Sequence, residues 1–149
     1  MIRLQDSILI QRPAAEVYSL ISDLEGHQNL LPGYIESRII EQIRGGCVLQ
    51  RKAVIHGKLR NWKSLVHFEP DRALHFEQLE GPLKGMQVHW KLNPVREQTW
   101  LEIIHSVHVR PWWKRWWMER VVAKPAIEQT ARLVLKAIQQ AAEQKVALS

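Results

Sequence analysis

Only one cysteine, Cys47, occurs in 149 residues. That excludes an intramolecular disulfide framework and any cysteine-built zinc site. Phenylalanine and tyrosine are scarce, with two of each, and no apolar run approaches the ~18 residues needed to span a bilayer. The opening MIRLQDSILIQRP is interrupted by Arg3, Gln5 and Asp6, so it does not read as a secretory signal. A cytoplasmic location is the expectation. Several chemical signatures are also missing. There is no Gly-x-Ser-x-Gly elbow for acyl transfer, and Cys47 has no evident histidine partner. Gly-x-Gly-x-x-Gly is absent and Gly45-Gly46 is too short to cradle a phosphate, which argues against nucleotide binding. No His-Glu-x-x-His pair occurs, so neither a metal nor a cofactor is expected. Internal repeats, linkers and low-complexity tracts are absent too.

What the chain does have is basic charge and tryptophan. The formal net charge is +6, which favours contact with something anionic, either phospholipid head groups or nucleic acid. Four of the seven tryptophans crowd into PWWKRWWMER, residues 111–120. The length fits one domain, 1–149, large enough to bury a core without staples.

The periodicity orders the elements. Ile2, Leu4, Ile8 and Ile10 alternate with Arg3, Gln5 and Gln11, which predicts a strand with one buried face. Pro13 suits a helix start, and Val17, Leu20, Ile21 and Leu24 follow at helical spacing. Asp23 is placed to cap a second short helix that ends before Pro32-Gly33. From Tyr34 to Val109 the period is two, with breaks at Gly45-Gly46, Gly57, Glu69 to Arg72, Gly81-Pro82 and Pro94 to Glu97. Six strands in successive hairpins are predicted. Phe68 and Leu74 both face inward only across a loop with an odd number of residues. A loop from Pro70 to Arg72 then pairs Phe68 with Leu74, Val66 with Phe76, Ser64 with Gln78, and His67 with His75 on the outer face.

After Pro111 the period returns to 3.6. The four tryptophans fall within roughly 140° of a helical wheel. Ala123, Ile127, Ala131, Val134, Leu135 and Ile138 continue their stripe. Pro125 is expected to kink or break this helix. Arg120 and Lys124 intrude on the stripe before it. The fold class is therefore α+β: a curved seven-stranded antiparallel sheet around one long C-terminal helix, with two short helices after strand 1. One helix cannot fill the concavity of seven strands, so an apolar pocket is expected between them.

The start Pro13-Ala14-Ala15-Glu16-Val17-Tyr18, then Asp23-Leu24 and Leu31-Pro32-Gly33, resembles the START-like, or Bet v 1-like, superfamily. Within it, EGPLKGMQVHWKLNPV (80–95) is similar to the polyketide cyclase/dehydrase and coenzyme-Q-binding group, with its Gly-Pro turn and a strand carrying an inward Trp. The resemblance covers nearly the whole chain, through diffuse architectural motifs. It implies a single START-like domain of helix-grip fold with a cavity for lipid, isoprenoid quinone or polyketide-like molecules. The tryptophan-rich helix start departs from the quinone-binding pattern. The superfamily includes a ribosome-associated toxin, which keeps a ribosomal partner open.

Parity names the candidate residues. Trp62, Ser64, Phe76, Gln78, Met86, Val88, Trp90, Ile103 and His105 fall on the inward face, and Trp112 and Trp116 would close over a ligand. His105, expected across from Met86, is a candidate general base if chemistry occurs. Glu80 shares the inward parity. His67, His75 and His89 are expected as a solvated outer row, and His105 and His108 point to opposite faces. Trp113 and Trp117, flanked by Lys114 and Arg115, suit peripheral contact with an anionic membrane. No RNA-binding signature accompanies the aromatics, so direct nucleic-acid binding is not expected. The expected function is binding and transport of a hydrophobic small molecule. The alternatives are a cyclase/dehydrase-type enzyme and a ribosome-associated regulator.

Overall fold

The computed structural model describes residues 2–81, 83–107 and 123–147. Strand β1 (Ile2–Ile10) leads into two short helices, α1 (Ala14–Ser22) and α2 (His27–Leu30). Six strands follow: β2 (Tyr34–Ile43), β3 (Gly46–Ile55), β4 (Lys58–Glu69), β5 (Ala73–Gln78), β6 (Gln87–Val95) and β7 (Gln98–Val107). Helix α3 (Ala123–Ala147) comes last. The strands form one antiparallel sheet in the order β1-β7-β6-β5-β4-β3-β2. Consecutive hairpins build β2 to β7, and β1 closes beside β7.

The β4–β5 hairpin has the expected register. Phe68 pairs with Leu74, Val66 with Phe76, Ser64 with Gln78 and His67 with His75, around the loop 70–72. Asp71 takes the left-handed conformation in that loop (φ 62°), and Arg72 N–H closes the turn onto the Glu69 carbonyl at 2.9 Å. Aspartate tolerates this conformation better than most residues.

Two sequence expectations shift. Asp23 does not cap α2. Its Oδ1 accepts the Gly26 N–H at 3.3 Å in the turn ahead of the helix, and Gly26 itself is the cap residue. His105 pairs with Val88 on β6 and Leu4 on β1, not with Met86. Met86 lies before β6 begins, in the connection that folds back through Gln78 N–H to the Met86 carbonyl.

The core forms where the concave sheet face meets the helices. Leu49, Val66, Leu74, Phe76, Trp90, Leu92, Leu101 and Ile103 face inward and are buried. Val17, Ile21 and Leu24 pack on them from the α1 side, and Val134, Leu135, Ile138 and Ala142 from α3. Each such Leu or Ile contributes about 1.5–3 kcal/mol through burial. The stripe of Ile127, Ala131, Val134, Leu135 and Ile138 is buried as its spacing requires. Pro125 lies in the first described turn of α3, and what precedes Ala123 lies outside the described residues.

Helix α3 also seals a sheet edge. In β1 the odd-numbered residues aim their backbone groups away from β7. Arg132 Nη2 donates to the Ser7 carbonyl at 2.8 Å and Gln139 Nε2 to the Leu9 carbonyl at 2.9 Å. The Gln11 N–H reaches Glu143 Oε1 at 3.1 Å, and Arg132 Nε lies 3.2 Å from Asp6 Oδ2. An open strand edge would otherwise invite pairing with another chain.

Candidate ligand cavity

Between β1, β7 and the first half of α3 lies a cavity of about 240 Å³. Leu4, Ile103, Ile127 and Ala131 give it apolar walls, and Asp6, His105 and Glu128 supply polar groups; Gln5 borders it too, with its side chain turned to Glu102 on the other face. The register explains the mixture. Leu4 stands opposite His105 and Asp6 opposite Ile103, so all four side chains share the face beneath α3. Glu128 comes from the helix, one residue after Ile127 and three before Ala131. Burial pushes the His105 imidazole down to about 4. At neutral pH it is uncharged, with one ring nitrogen free to accept a proton or a hydrogen bond.

A second polar assembly lies deeper. His27 is wholly buried. Its Nε2 donates to the Ile21 carbonyl at 2.6 Å, and its Nδ1 accepts from Arg51 Nη2 at 3.0 Å. Burial first, and the Arg51 charge second, hold its pKa near 3, so this tautomer is the neutral one. Arg51 is only 3 % exposed, with its guanidinium 5.1 Å from the Tyr34 ring centroid and 5.2 Å from that of Phe76. Among the described residues it has no carboxylate partner. The sequence carries a signal for Arg51 alone. Arg51 sits on the inward parity of β3 between Leu49 and Ala53, a position where alternation predicts an apolar side chain.

The sequence-predicted residues divide. Ile103 and His105 line the cavity. Phe76 and Trp90 pack into the core with 7 % and 5 % exposure, their ring centroids 5.3 Å apart. Val88 is half-buried against that core. Trp62 pairs with Arg51 and meets Tyr34 edge-on at 6.0 Å. Ser64 is buried between Leu49 and Gln78. Gln78 ends β5 and donates from Nε2 to the Glu80 carbonyl at 3.0 Å, and Glu80 itself is exposed beyond the strand. Met86 is half-buried in the β5–β6 connection. Trp112, Trp113, Lys114, Arg115, Trp116 and Trp117 lie outside the described residues, as does His108. Among the described residues, no three His, Cys, Asp or Glu side chains are grouped to hold a metal ion. Nor is any described helix long and apolar enough to cross a membrane.

A long helix laid over a curved seven-stranded antiparallel sheet is a helix-grip fold. Residues 10–139 match the family described as polyketide cyclase / dehydrase and lipid transport, and the chain belongs to that family. The architecture is similar to that of the Zhui aromatase/cyclase from a Streptomyces (TM-score 0.84, 20 % identity, covering 97 % of this chain and 95 % of that one). It also resembles a START superfamily protein from Mycobacterium smegmatis (TM-score 0.78, 16 % identity, 95 % and 97 % covered). The ribosome association toxin RatA of Escherichia coli is 21 % identical over 99 residues, which are 66 % of this chain. The match spans 63 % of that relative's length.

Proposed function

We propose that the chain binds and carries a hydrophobic small molecule of lipid, isoprenoid or polyketide-like type beneath α3. The cavity carries this reading. Leu4, Ile103, Ile127 and Ala131 offer apolar contact, and Asp6, His105 and Glu128, on an equally polar lining, can orient a ligand. Binding pockets usually run from about 300 to 1,000 Å³, so this one suits a compact ligand or one end of a longer one. Native mass spectrometry of gently purified protein is expected to show an adduct that organic solvent extracts. Ala131→Phe, which fills the cavity, should remove it. A bare chain that also takes up no hydrophobic fluorescent probe overturns the reading.

A second reading is a cyclase/dehydrase-type enzyme, and the polar side of the cavity favours it. Neutral His105 would take a proton from a carbon beside a substrate carbonyl. The imidazolium so formed would then give that proton to the departing hydroxyl, which leaves as water. His105→Ala separates the two readings. Lost turnover with intact binding marks the enzyme, and a modest change in affinity marks the carrier.

A ribosomal partner rests on the Escherichia coli relative's name and the net charge of +6. Salt-sensitive co-sedimentation with ribosomes tests it. Peripheral membrane contact through Trp113, Trp117, Lys114 and Arg115 rests on composition alone. Flotation with anionic liposomes, wild type against Trp113→Ala/Trp117→Ala, tests that.

A further inference from the structure

On the convex face, away from the cavity, three histidines stand in register across three strands. His67 on β4 is opposite His75 on β5, and His75 is opposite His89 on β6. Two of them turn toward one point. The Nδ1 atoms of His75 and His89 lie 2.6 Å apart, with ring centroids 4.8 Å apart and planes at 69°. On its other side, His75 Nε2 bonds Glu69 Oε2.

With both rings neutral, these contacts assign the protons. A carboxylate only accepts, so His75 Nε2 carries the hydrogen, and in the neutral ring its Nδ1 keeps a lone pair. His89 must then supply the one proton lying between the two Nδ1 atoms. Two imidazole nitrogens sharing a point, with a carboxylate behind one ring, is the arrangement that orients histidines on a metal ion.

We propose that His75 and His89 form a two-histidine site for a borderline divalent transition-metal ion such as Zn²⁺, Ni²⁺ or Cu²⁺, with Glu69 selecting the donor nitrogen of His75. The ion takes the place of the shared proton. His89 moves its own hydrogen to Nε2, so neither neutral ring gains or loses a proton overall. Imidazole suits these three ions. Metal–nitrogen bonds of about 2.0–2.1 Å at right-angled to tetrahedral geometry set the donors about 2.9–3.4 Å apart. The rings need to separate by less than about 1 Å to reach that spacing. Water fills the remaining positions, because the face is open: the His75 side chain is 27 % exposed and Glu69 53 %. Lys91, opposite Ala73, is the nearest strand cation in register, and Glu102 pairs with it from β7.

The test is calorimetric titration of the tag-free full chain with ZnCl₂, NiCl₂ and CuCl₂. One ion per chain is expected, tighter than about 100 µM. His75→Ala and His89→Ala should each weaken binding at least ~10-fold, and Glu69→Gln by ~10–100-fold. His56→Ala, at an exposed histidine in the β3–β4 turn, should leave it unchanged. Electron paramagnetic resonance of the Cu²⁺ form should show two coordinated imidazoles. That measurement on wild type decides the matter even where an alanine variant fails to fold. No saturable binding, binding indifferent to both alanine variants, or equal loss in His56→Ala overturns the proposal.

Discussion

The His27 ring lies flat on the Trp90 indole, centroids 5.5 Å apart and planes 10° apart. Through its two nitrogens the same imidazole holds the Ile21 carbonyl and the Arg51 guanidinium. One side chain thus ties α2 to the end of α1, to β3 and to β6. A few residues on, Ser37 Oγ donates to the Leu24 carbonyl at 2.6 Å and fixes the same segment to β2. These bonds place the helical connection against the sheet's concave end.

The first prediction follows from that junction. His27→Ala removes the acceptor facing Arg51 and leaves a buried cation with two aromatic faces and no hydrogen-bond partner for Nη2. Leaving a buried charged donor without its acceptor costs about 1.5–3 kcal/mol. Urea denaturation should show a loss of that order. A loss below about 1 kcal/mol would mean that Arg51 finds water.

The second prediction concerns pH. Both His27 and His105 have folded-state values below the usual 6.5, at about 3 and about 4. Between those limits the unfolded chain binds the proton and the folded chain does not. Their stabilising contribution is therefore full above pH 6.5 and declines as the pH falls. For His105 the decline ends near pH 4, and for His27 near pH 3. Each group adds a slope of at most about 1.4 kcal/mol per pH unit. Melting temperatures from pH 7 to pH 4 should fall less steeply in His105→Gln than in wild type. Parallel curves would mean that His105 is already hydrated in the folded chain.

The third prediction contrasts neighbouring glycines. A Cβ on Gly46 would lie 1.8 Å from the Val66 carbonyl oxygen, which is backbone and cannot step aside without breaking the β3–β4 pairing. Gly46→Ala should cost more than about 4 kcal/mol or abolish soluble expression. A Cβ on Gly45 meets nothing within 4 Å, although the residue has φ +74°. Gly45→Ala should therefore cost only about 1–2 kcal/mol, the strain of a left-handed backbone. Equal losses in denaturation experiments would refute the steric account.

Alternation made the sheet legible. The parity of Phe68 and Leu74 set the length of the β4–β5 loop, and that choice fixed four cross-strand pairs at once. The 3.6-residue spacing from Ile127 to Ile138 likewise named the buried face of α3. The site was harder. Parity says which side of a strand a residue faces, not whether the space there is filled. Phe76 and Trp90 share the inward face with His105, yet they pack in the core, while the cavity opens farther along toward β1. Asp6 and Glu128 join His105 only because the β1–β7 register and the seating of α3 bring them there. Sequence spacing holds no record of that meeting. His27 and Arg51, 24 positions apart, meet for the same reason.

The last prediction joins the helix to the ligand. Arg132 and Gln139 are seven residues apart, two turns of α3, and each grips a free carbonyl of β1. Ala131, one residue before Arg132, lines the cavity together with Ile127 and Glu128. The same turns that seal the strand edge therefore roof the cavity. Arg132→Ala/Gln139→Ala should cost about 2–4 kcal/mol, one charged and one neutral hydrogen bond to backbone. It should also speed dissociation of a bound hydrophobic probe at least ~10-fold, since α3 then lifts more readily and Asp6 loses its Arg132 partner. The uncovered edge should show as concentration-dependent association in light scattering. Stopped-flow release of the probe is the deciding measurement. Unchanged release with reduced stability would mean that the ligand leaves by a route not covered by α3.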